Sequence, residues 1–506
     1  MEGEWISSSF DGTTRLGEAV NMVNRWCSAD FRLQKRLTMF KTLIKHMDHK
    51  QLARLIGEKL FIELKVSVLH HVAFERDSCK VNGCAVEKLC SMFDASEDIL
   101  CMCHTLCHVG EHIELPTLEK FIHHWIGLVY SHAGAKAAWK ELIGSVTGYS
   151  TVRWYATAEI EMEIAINFGL LEKAIATFEE RDYGDAHTKA MRKIYNENTM
   201  RLELEFAAML DSRRIVSTCY ELEGDRLEIL IAYDRIEVLR AHGRALGDDG
   251  TIPNVDAVIR KYMKIKKNTL IVKEWQGRGF LTAKVLKKVL LQSELSPGQN
   301  VDGWKVKYDI DGGEEDYEEP EIRRCLVVKN DSIRKEIVAG LKKGYEYLED
   351  RLHGPPRCDK RYDCSTMYEM LRLVRAVDPS FAANEPIDTA WVKDMAKIKP
   401  LAGNGLIDMM VKELPDYLAA AKGVAFDHKD IDKFTENVLT WWRNHGTKFP
   451  SWALAARIIF AFSPNSAACE RVFSLLEAMF TKEQHSSLAD QIQAALMLKY
   501  NKRVLG

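Results

Sequence analysis

Two aspartates stand where carboxylates could share a metal ion. Asp11 follows a β-like run and is itself followed by Gly12, and Asp77 ends another β-like run. Carboxylates at the ends of neighbouring strands can converge on one metal, because adjacent strands lie only about 4.8 Å apart. The Asp-Gly pair is foremost a turn signal, so on spacing alone a plain turn at Asp11 is the favoured interpretation.

A third candidate carboxylate, Glu470, lies in a predicted helix near the C-terminus. Ser463 could cap this helix with Pro464 at its first position, which would place Glu470 about two turns inside. On a helical wheel the apolar face of this helix lies opposite Glu470. That face consists of Ala468, Val472, Leu475, Leu476 and Met479. On this pattern alone, a solvated glutamate is favoured over a metal ligand.

A cluster of cysteines and histidines raises the question of zinc. His104 and His108 have the i, i+4 spacing of a helical metal pair. The full cluster is Cys101, Cys103, His104, Cys107, His108 and His112. No second, distant pair with zinc-finger spacing accompanies it, and buried cysteine often packs as a small hydrophobic residue. The pattern therefore favours a structural role over a zinc site.

Basic residues concentrate between residues 260 and 288, although the net charge of the whole chain is -3. Such a stretch could hold DNA phosphates, which supply sequence-independent affinity. A solvated helical face is the alternative of equal weight. The stretch contains Lys264, Lys266, Lys267 and Arg278, together with Tyr262 and Trp275.

The elements that would position these residues form an α/β pattern. Strands are predicted at 5–10, 19–26, 31–43 and 65–74, with a further one at 99–103. Helical periodicity is found at 48–64 and 84–93. From about residue 120 to 413 the pattern is mostly helical, with irregular stretches around 247–253 and 296–320. Strands that alternate with helices predict an α/β layer with a mixed sheet.

Composition places the chain among ordinary globular proteins. Its 506 residues are 46% hydrophobic and 28% charged, which suits two to four packed domains. The longest apolar stretch near the C-terminus, 452–462, is interrupted by Arg457 and is far shorter than the roughly 20 residues needed to span a bilayer. We therefore expect no membrane association. Twelve cysteines without regular pairing suit reduced thiols in the cytosol or nucleus.

Several segments of the chain resemble motifs of the hAT superfamily of DNA transposases. Three segments of the chain resemble the C-terminal dimerisation motif of this family: FPSWA (449–453), SPNSAACERVFS (463–474) and QHSSLADQIQAALMLKYN (484–501). Two further segments of the chain resemble those that precede this motif in the family: ELPDYL (413–418) and WWR (441–443). A third, YELEGD (220–225), resembles a segment of the family's insertion. The resemblance covers nearly the whole chain in the family's order.

The N-terminal half carries the same resemblance. SFDGTT (9–14) is similar to the family's first catalytic strand, and RDSCKVNG (76–83) to its second aspartate motif with the asparagine that follows. CMCH (101–104) fits the family's Cys-x-x-His element. VRW (152–154) fits its Arg-Trp element, although family members usually have Thr where this chain has Val152.

The resemblance implies an RNase H-like α/β fold, with a mixed sheet, flanking helices and a large, mostly α-helical insertion. It places the first part of the catalytic domain at 1–160, the insertion at 161–430, and the dimerisation region, which completes the catalytic domain, at 431–506. The implied catalytic and metal-binding carboxylates are Asp11, Asp77 and Glu470, holding Mg²⁺ or Mn²⁺ for phosphoryl transfer on DNA. The implied reactions are strand cleavage, hairpin formation and strand transfer.

Other residues receive roles from the same resemblance. Cys101 and His104 would support the active site structurally, so zinc is not expected. Trp154, beside Arg153, would stack on DNA bases, with a core tryptophan as the alternative. Dimerisation is assigned to Arg471, Val472, Phe473, Leu488 and Leu496. The expected partners are transposon ends, flanking DNA and further copies of the chain in a homodimer or higher oligomer, and the DNA substrate implies a nuclear location.

The N-terminus departs from the family pattern. Family members generally carry a BED-type zinc finger before the first catalytic strand, and here no Cys-x-x-Cys followed by a histidine pair precedes Asp11. We therefore expect the chain to lack its own end-recognition element. Two hypotheses stay open: a metal-dependent transposase that cleaves and joins DNA, and a catalytically inactive, transposase-derived scaffold that dimerises and binds DNA or protein.

Overall fold

The computed structural model describes most of the chain. The described residues are 3–13, 18–43, 47–149, 154–248, 250, 252–263, 272–273, 280–281, 319–479 and 489–505. They divide into two compact units, each considered by itself. The sheet unit comprises residues 1–106, 218–238 and 348–506, and the helical unit comprises 107–217 and 239–347. The domain limits predicted at residues 160 and 430 stay a prediction.

A mixed five-stranded sheet forms the centre of the sheet unit. The strand order is β3-β2-β1-β4-β5, in which β1, β2 and β3 are antiparallel and β4 and β5 run parallel to β1. The strands are β1 (Ile6–Thr13), β2 (Glu18–Cys27), β3 (Leu33–Leu43), β4 (His71–Arg76) and β5 (Glu97–Leu100). The predicted α/β class is confirmed.

The alternation of side chains along the strands gives the sheet two apolar faces. On β2, Met22 and Trp26 pack with helices α1 (His49–Glu58) and α2 (Lys80–Cys90). Ala19 and Val23 of the same strand pack on the other face, against helices α19 (Ala467–Met479) and α20 (Ala489–Leu505). Both faces are therefore buried, as expected of a sheet between helical layers.

The strand boundaries differ from the prediction by a few residues, most clearly at the start of β4 and the end of β5. β4 begins at His71 rather than at residue 65, because Lys65 has a left-handed backbone (φ 51°) and the amide of His70 turns back to the carbonyl of Ser67. β5 ends at Leu100 rather than at residue 103, because helix α3 already begins at Met102. The predicted helix at 48–64 is confirmed as α1, continued by a π-helical turn at Lys59–Glu63.

The turn predicted at Asp11 and Gly12 was wrong. Both residues lie inside β1, where Asp11 is paired with Asn21 and Gly12 with Val20 on the antiparallel neighbour β2. The strand continues through the Asp-Gly pair because its partner continues beside it, and this tertiary pairing overrides the local turn preference.

Helices make up the rest of the described chain, as predicted for residues 120–413. They are α3 (Met102–Glu111), α4 (Pro116–Val129), α5 (Ala133–Ile143), α6 (Trp154–Ile166), α7 (Leu171–Glu180), α8 (Asp185–Asp211), α9 (Arg213–Leu222), α10 (Glu228–Asp248), α11 (Pro253–Met263), α12 (Glu319–His353), α13 (Ser365–Val374), α14 (Pro379–Asn384), α15 (Thr389–Asp394), α16 (Leu406–Ala421), α17 (Ile431–His445) and α18 (Pro450–Phe460). A short antiparallel pair joins Val272–Lys273 to Phe280–Leu281. No helix among the described residues has the length and apolar character of a membrane span.

Candidate active site

Asp11 and Asp77 lie on neighbouring parallel strands at the same level. Asp11 belongs to β1, and Asp77 directly follows the last residue of β4. Ser9 is paired with Glu75, so each aspartate comes two residues after a paired residue and faces the same side of the sheet. Burial and the negative charge of Asp77 raise the pKa of Asp11 to about 7. The two carboxyl groups therefore interact directly through their charges.

Neighbouring donors hold the orientation of the Asp77 carboxylate. Its Oδ1 accepts hydrogen bonds from the amide of Cys79 (3.0 Å) and from Nδ2 of Asn82 (2.8 Å). Asn82 is buried in the first turn of α2. On the neighbouring strand, Oδ1 of Asp11 accepts from the amide of Gly12 at 2.7 Å. Asn82, the asparagine that follows the second aspartate, therefore positions the carboxylate of Asp77.

Glu75 is a further acidic residue at this site, one that the sequence analysis missed. It is only 1% exposed, and its carboxyl group accepts hydrogen bonds from the amide of Ser463 (2.8 Å) and from the hydroxyl of Ser9. Burial raises its pKa to about 7 in spite of these hydrogen bonds. The signal in the sequence is weak, because Glu75 is a single acid near the end of a short strand and is followed directly by Arg76.

His104 connects the aspartate pair with Glu470. Its Nε2 lies 3.7 Å from Oε1 of Glu470. Burial lowers the pKa of His104, but Cys101 and the carboxylates of Asp77 and Asp11 outweigh burial, so the pKa rises above its usual range. His104 was predicted to be only a structural support. In the structure its Nε2 also faces the carboxylate of Glu470, and its raised pKa favours the protonated form beside these carboxylates.

The helix that carries Glu470 begins later than predicted. α19 begins at Ala467, whose amide donates to Oδ1 of Asn465 at 2.9 Å. The hydroxyl of Ser463, the predicted cap, donates to the carbonyl of Asn465 at 3.0 Å instead. The prediction of Ser463 as the N-cap was therefore wrong, and Glu470 lies in the first turn of the helix rather than two turns inside.

Several contacts fix the chain before α19 against the rest of the sheet unit. The amide of Met102 donates to the carbonyl of Pro464 at 2.8 Å. Nδ2 of Asn465 donates to the carbonyls of Leu222 (2.6 Å) and Gly224 (3.2 Å). Since Met102 starts the helix that carries His104, these bonds hold the Glu470 segment beside the His104 segment.

The cysteines next to His104 are engaged in packing and hydrogen bonds. Sγ of Cys101 accepts from the amide of Ser466 at 3.3 Å, and the thiol of Cys103 donates to the carbonyl of Cys219 at 3.5 Å. Among the described residues, no three His, Cys, Asp or Glu side chains lie close enough to hold a metal ion as they stand. His104 interacts with Asp11, Asp77 and Glu470, but in this part of the chain the three carboxylates do not form a closed ligand set. That zinc is not bound stays a prediction.

Trp154 is the one predicted DNA-contacting residue that falls within the described part of the chain. It begins α6, is half-buried, and packs its indole on Gly110 in α3, where an added Cβ would lie 2.1 Å from the ring. Its role in stacking on bases stays a prediction. The other predicted DNA-contacting residues lie outside the described part of the chain: Arg153, Lys264, Lys266, Lys267 and Arg278.

The residues predicted to mediate dimerisation lie mostly inside the sheet unit. Val472, Phe473 and Leu496 belong to the apolar cluster that covers one face of the sheet. Arg471 donates from Nη1 to the carbonyl of Glu223 at 3.0 Å. Leu488 lies outside the described residues. Contacts of these side chains with a second copy stay a prediction.

Comparison with known proteins adds one finding. Residues 413–501 match the family model described as the hAT family C-terminal dimerisation region. The match includes α17, α18, α19 and most of α20, and therefore the helix that carries Glu470. No curated protein sequence matches the chain.

Proposed function

We propose that this chain is an hAT-family transposase relative, since it carries the family's C-terminal dimerisation region. On that premise, we propose that its sheet unit is an RNase H-like core for phosphoryl transfer on DNA. The strand order, with three antiparallel strands followed by two parallel ones, supports this fold. The observation that supports the function is that His104 interacts with the carboxylates of Asp11, Asp77 and Glu470.

A divalent metal ion suits the donors at this site. The pKa of Asp11 is raised to about 7 because Asp77 and burial disfavour its charge, and a cation beside both carboxylates would relieve that repulsion. Carboxylate oxygens are ligands that Mg²⁺ prefers, and Mn²⁺ shares that preference. Asp11 and Asp77 would hold the metal, and Glu470 would join them.

The protein's own residues prepare this chemistry. When bound, the metal activates a water or a 3′-hydroxyl and stabilises the leaving oxygen. Asn82 and the amide of Cys79 hold the Asp77 carboxylate in one orientation. Glu75, through the amide of Ser463, ties the segment before α19 to the sheet. His104 balances the charge of the carboxylates and faces Glu470.

We propose strand cleavage, hairpin formation and strand transfer at transposon ends and flanking DNA as the reactions, carried out in the nucleus by a homodimer or higher oligomer. The dimerisation region supports self-association. Trp154, Arg153 and the basic stretch with Lys264, Lys266, Lys267 and Arg278 would contact the DNA.

A second candidate is a transposase-derived scaffold without catalytic activity. It is favoured by the pairing of Glu470 with His104, since the described residues contain no closed set of three metal ligands. In such a protein the carboxylates would serve the fold alone. Self-association through the C-terminal region is common to both candidates.

The decisive experiment measures Mg²⁺- or Mn²⁺-dependent nicking and strand transfer on supercoiled and oligonucleotide DNA. Asp11→Asn, Asp77→Asn and Glu470→Gln should each reduce the rate about 100-fold or more, the scale on which single electrostatic groups act in transition states. Glu477→Gln, an exposed position on the same helix, is the matched control and should keep the wild-type rate.

Each outcome separates the two candidates once circular dichroism and light scattering show that every variant keeps its fold and oligomeric state. Metal-dependent activity that survives in the three carboxylate variants would contradict the proposed site. Folded, self-associated wild-type protein without metal-dependent activity on any DNA would favour the scaffold.

A further inference from the structure

Two histidines on different helices of the helical unit direct their Nδ1 atoms at each other. His124 lies on α4 and His187 lies in the first turn of α8. The Nδ1 atoms are 3.2 Å apart, and the ring centroids are 5.4 Å apart with an angle of 61° between the planes. Both side chains are half-buried, so solvent reaches the pair.

This separation fits two imidazoles bound to one metal ion. Zinc–nitrogen bonds are about 2.0–2.1 Å long, so two such bonds at a tetrahedral angle place the nitrogens roughly 3.3 Å apart. In the metal-free neutral pair, one Nδ1–H donates to the other Nδ1. Transfer of that proton to Nε2 of the same ring would leave both Nδ1 lone pairs available, with no net gain or loss of protons.

The backbone around the pair is shaped to accept the second ring. Gly127 lies on α4, one turn after His124, and an added Cβ there would lie 2.7 Å from Cε1 and 3.2 Å from Nδ1 of His187. A side chain at that position would push the imidazole away from His124. The glycine therefore keeps the two rings within reach of a common ligand.

Contacts elsewhere hold the two helices in place. The buried carboxylate of Glu205 on α8 accepts hydrogen bonds from the amides of Thr117 (2.8 Å) and Leu118 (2.7 Å) at the start of α4. Phe121 of α4 also packs edge-to-face on Phe206 of α8. Because the supporting backbones are fixed, the histidine pair is preorganised for a ligand.

We propose that His124 and His187 form a binding site for a divalent transition metal of the kind that prefers imidazole, with Zn²⁺ as the first candidate. Water completes the coordination. Two protein ligands are fewer than the three or four of closed zinc sites, so the metal is exchangeable. It cross-links α4 to α8 and stabilises the helical unit, a role separate from the proposed phosphoryl transfer.

Zinc titration of the full chain by calorimetry, in buffer with a non-thiol reductant, tests this site. The wild type should bind one Zn²⁺ more per chain than the His124→Gln/His187→Gln double variant, and each single variant should weaken that binding event at least tenfold. The matched control is His108→Gln/His112→Gln, which removes an i, i+4 pair whose Nδ1 atoms already bond to Glu111 and to the carbonyl of His108.

Two further readouts make the outcome unambiguous. Zn²⁺ should raise the melting temperature of the wild type and of the control, each relative to its own metal-free sample, but not that of the double variant. Electron paramagnetic resonance of bound Cu²⁺ should show two coordinated imidazole nitrogens in the wild type and one in either single variant. Equal zinc stoichiometry in the wild type and the double variant, or loss of binding in the control instead, would overturn the proposal.

Discussion

Replacement of Glu75 by glutamine should make the protein more stable at alkaline pH while changing little at acidic pH. Glutamine has the same shape as glutamate, and its Oε1 can still accept from the amide of Ser463 while its Nε2 donates to the hydroxyl of Ser9. The substitution therefore removes one buried ionisable group and keeps its packing. The effect of interest is the cost of burying a charge.

The magnitude follows from the raised pKa of Glu75. Burial raises that pKa from its ordinary value of 4.5 to about 7. In the window between these values the folded chain keeps a proton that the unfolded chain has lost, so stability falls as pH rises. A tenfold change in an equilibrium constant is worth about 1.4 kcal/mol, so the full loss, reached well above pH 7, is about 3.5 kcal/mol. Below pH 4.5 both states are protonated and nothing is lost.

Urea unfolding, followed by circular dichroism at pH 5 and pH 8, measures this difference. The free energy of unfolding of the wild type should fall relative to Glu75→Gln by about 2.5 kcal/mol between the two conditions, because part of the full loss has already occurred at pH 5. Glu477→Gln, at an exposed position, is the control and should follow the wild type at both pH values. Parallel pH profiles of the wild type and Glu75→Gln would refute the argument that this carboxyl group is buried with a raised pKa.

Two more substitutions test the packing around the candidate site and Trp154. Asn465→Ala removes hydrogen bonds to two backbone carbonyls and the acceptor for the first amide of α19. Urea unfolding should therefore show that the free energy of unfolding falls by about 1–3 kcal/mol. Ser474→Ala, at an exposed position on the same helix, is the control and should show no such fall. Gly110→Ala places a Cβ 2.1 Å from the indole of Trp154, so the ring should shift and the tryptophan fluorescence should change. The free energy of unfolding should fall by about 1–3 kcal/mol. Gly148→Ala, where an added Cβ meets nothing within 4 Å, should be neutral, and an equal effect of both alanines would contradict the packing.

Local sequence patterns predicted most of the strands and helices, because apolar residues recur along them in patterns typical of each element. Runs of β-forming residues bounded by turn signals predicted the first three strands, and helical patterns predicted α1 and α2. The prediction missed where β4 starts, because an apolar run does not reveal the left-handed backbone at Lys65 or the turn from Ser67 to His70. It missed the start of α19 because Ser463 has tertiary partners that a cap preference does not include.

The candidate site was predictable only in part, and the reason is the distance in sequence between its members. Asp11 and Asp77 could be placed at one sheet edge because each belongs to a strand signal of its own. Glu470 could be placed only on the polar side of its helix, where solvent is the default neighbour.

What the helical wheel cannot supply is the partner of Glu470. The Glu470 side chain is only 18% exposed and faces His104 at 3.7 Å, although His104 belongs to a segment near the other end of the chain. A polar helix face indicates which side chains point away from the apolar core. It does not indicate whether they contact water or another side chain of the protein. Here the choice is made by the bonds from Met102 to Pro464 and from Asn465 to Leu222, which bring the two segments together. An isolated helix with the sequence of α19 would therefore expose Glu470, and its half-buried position beside His104 exists only in the folded chain.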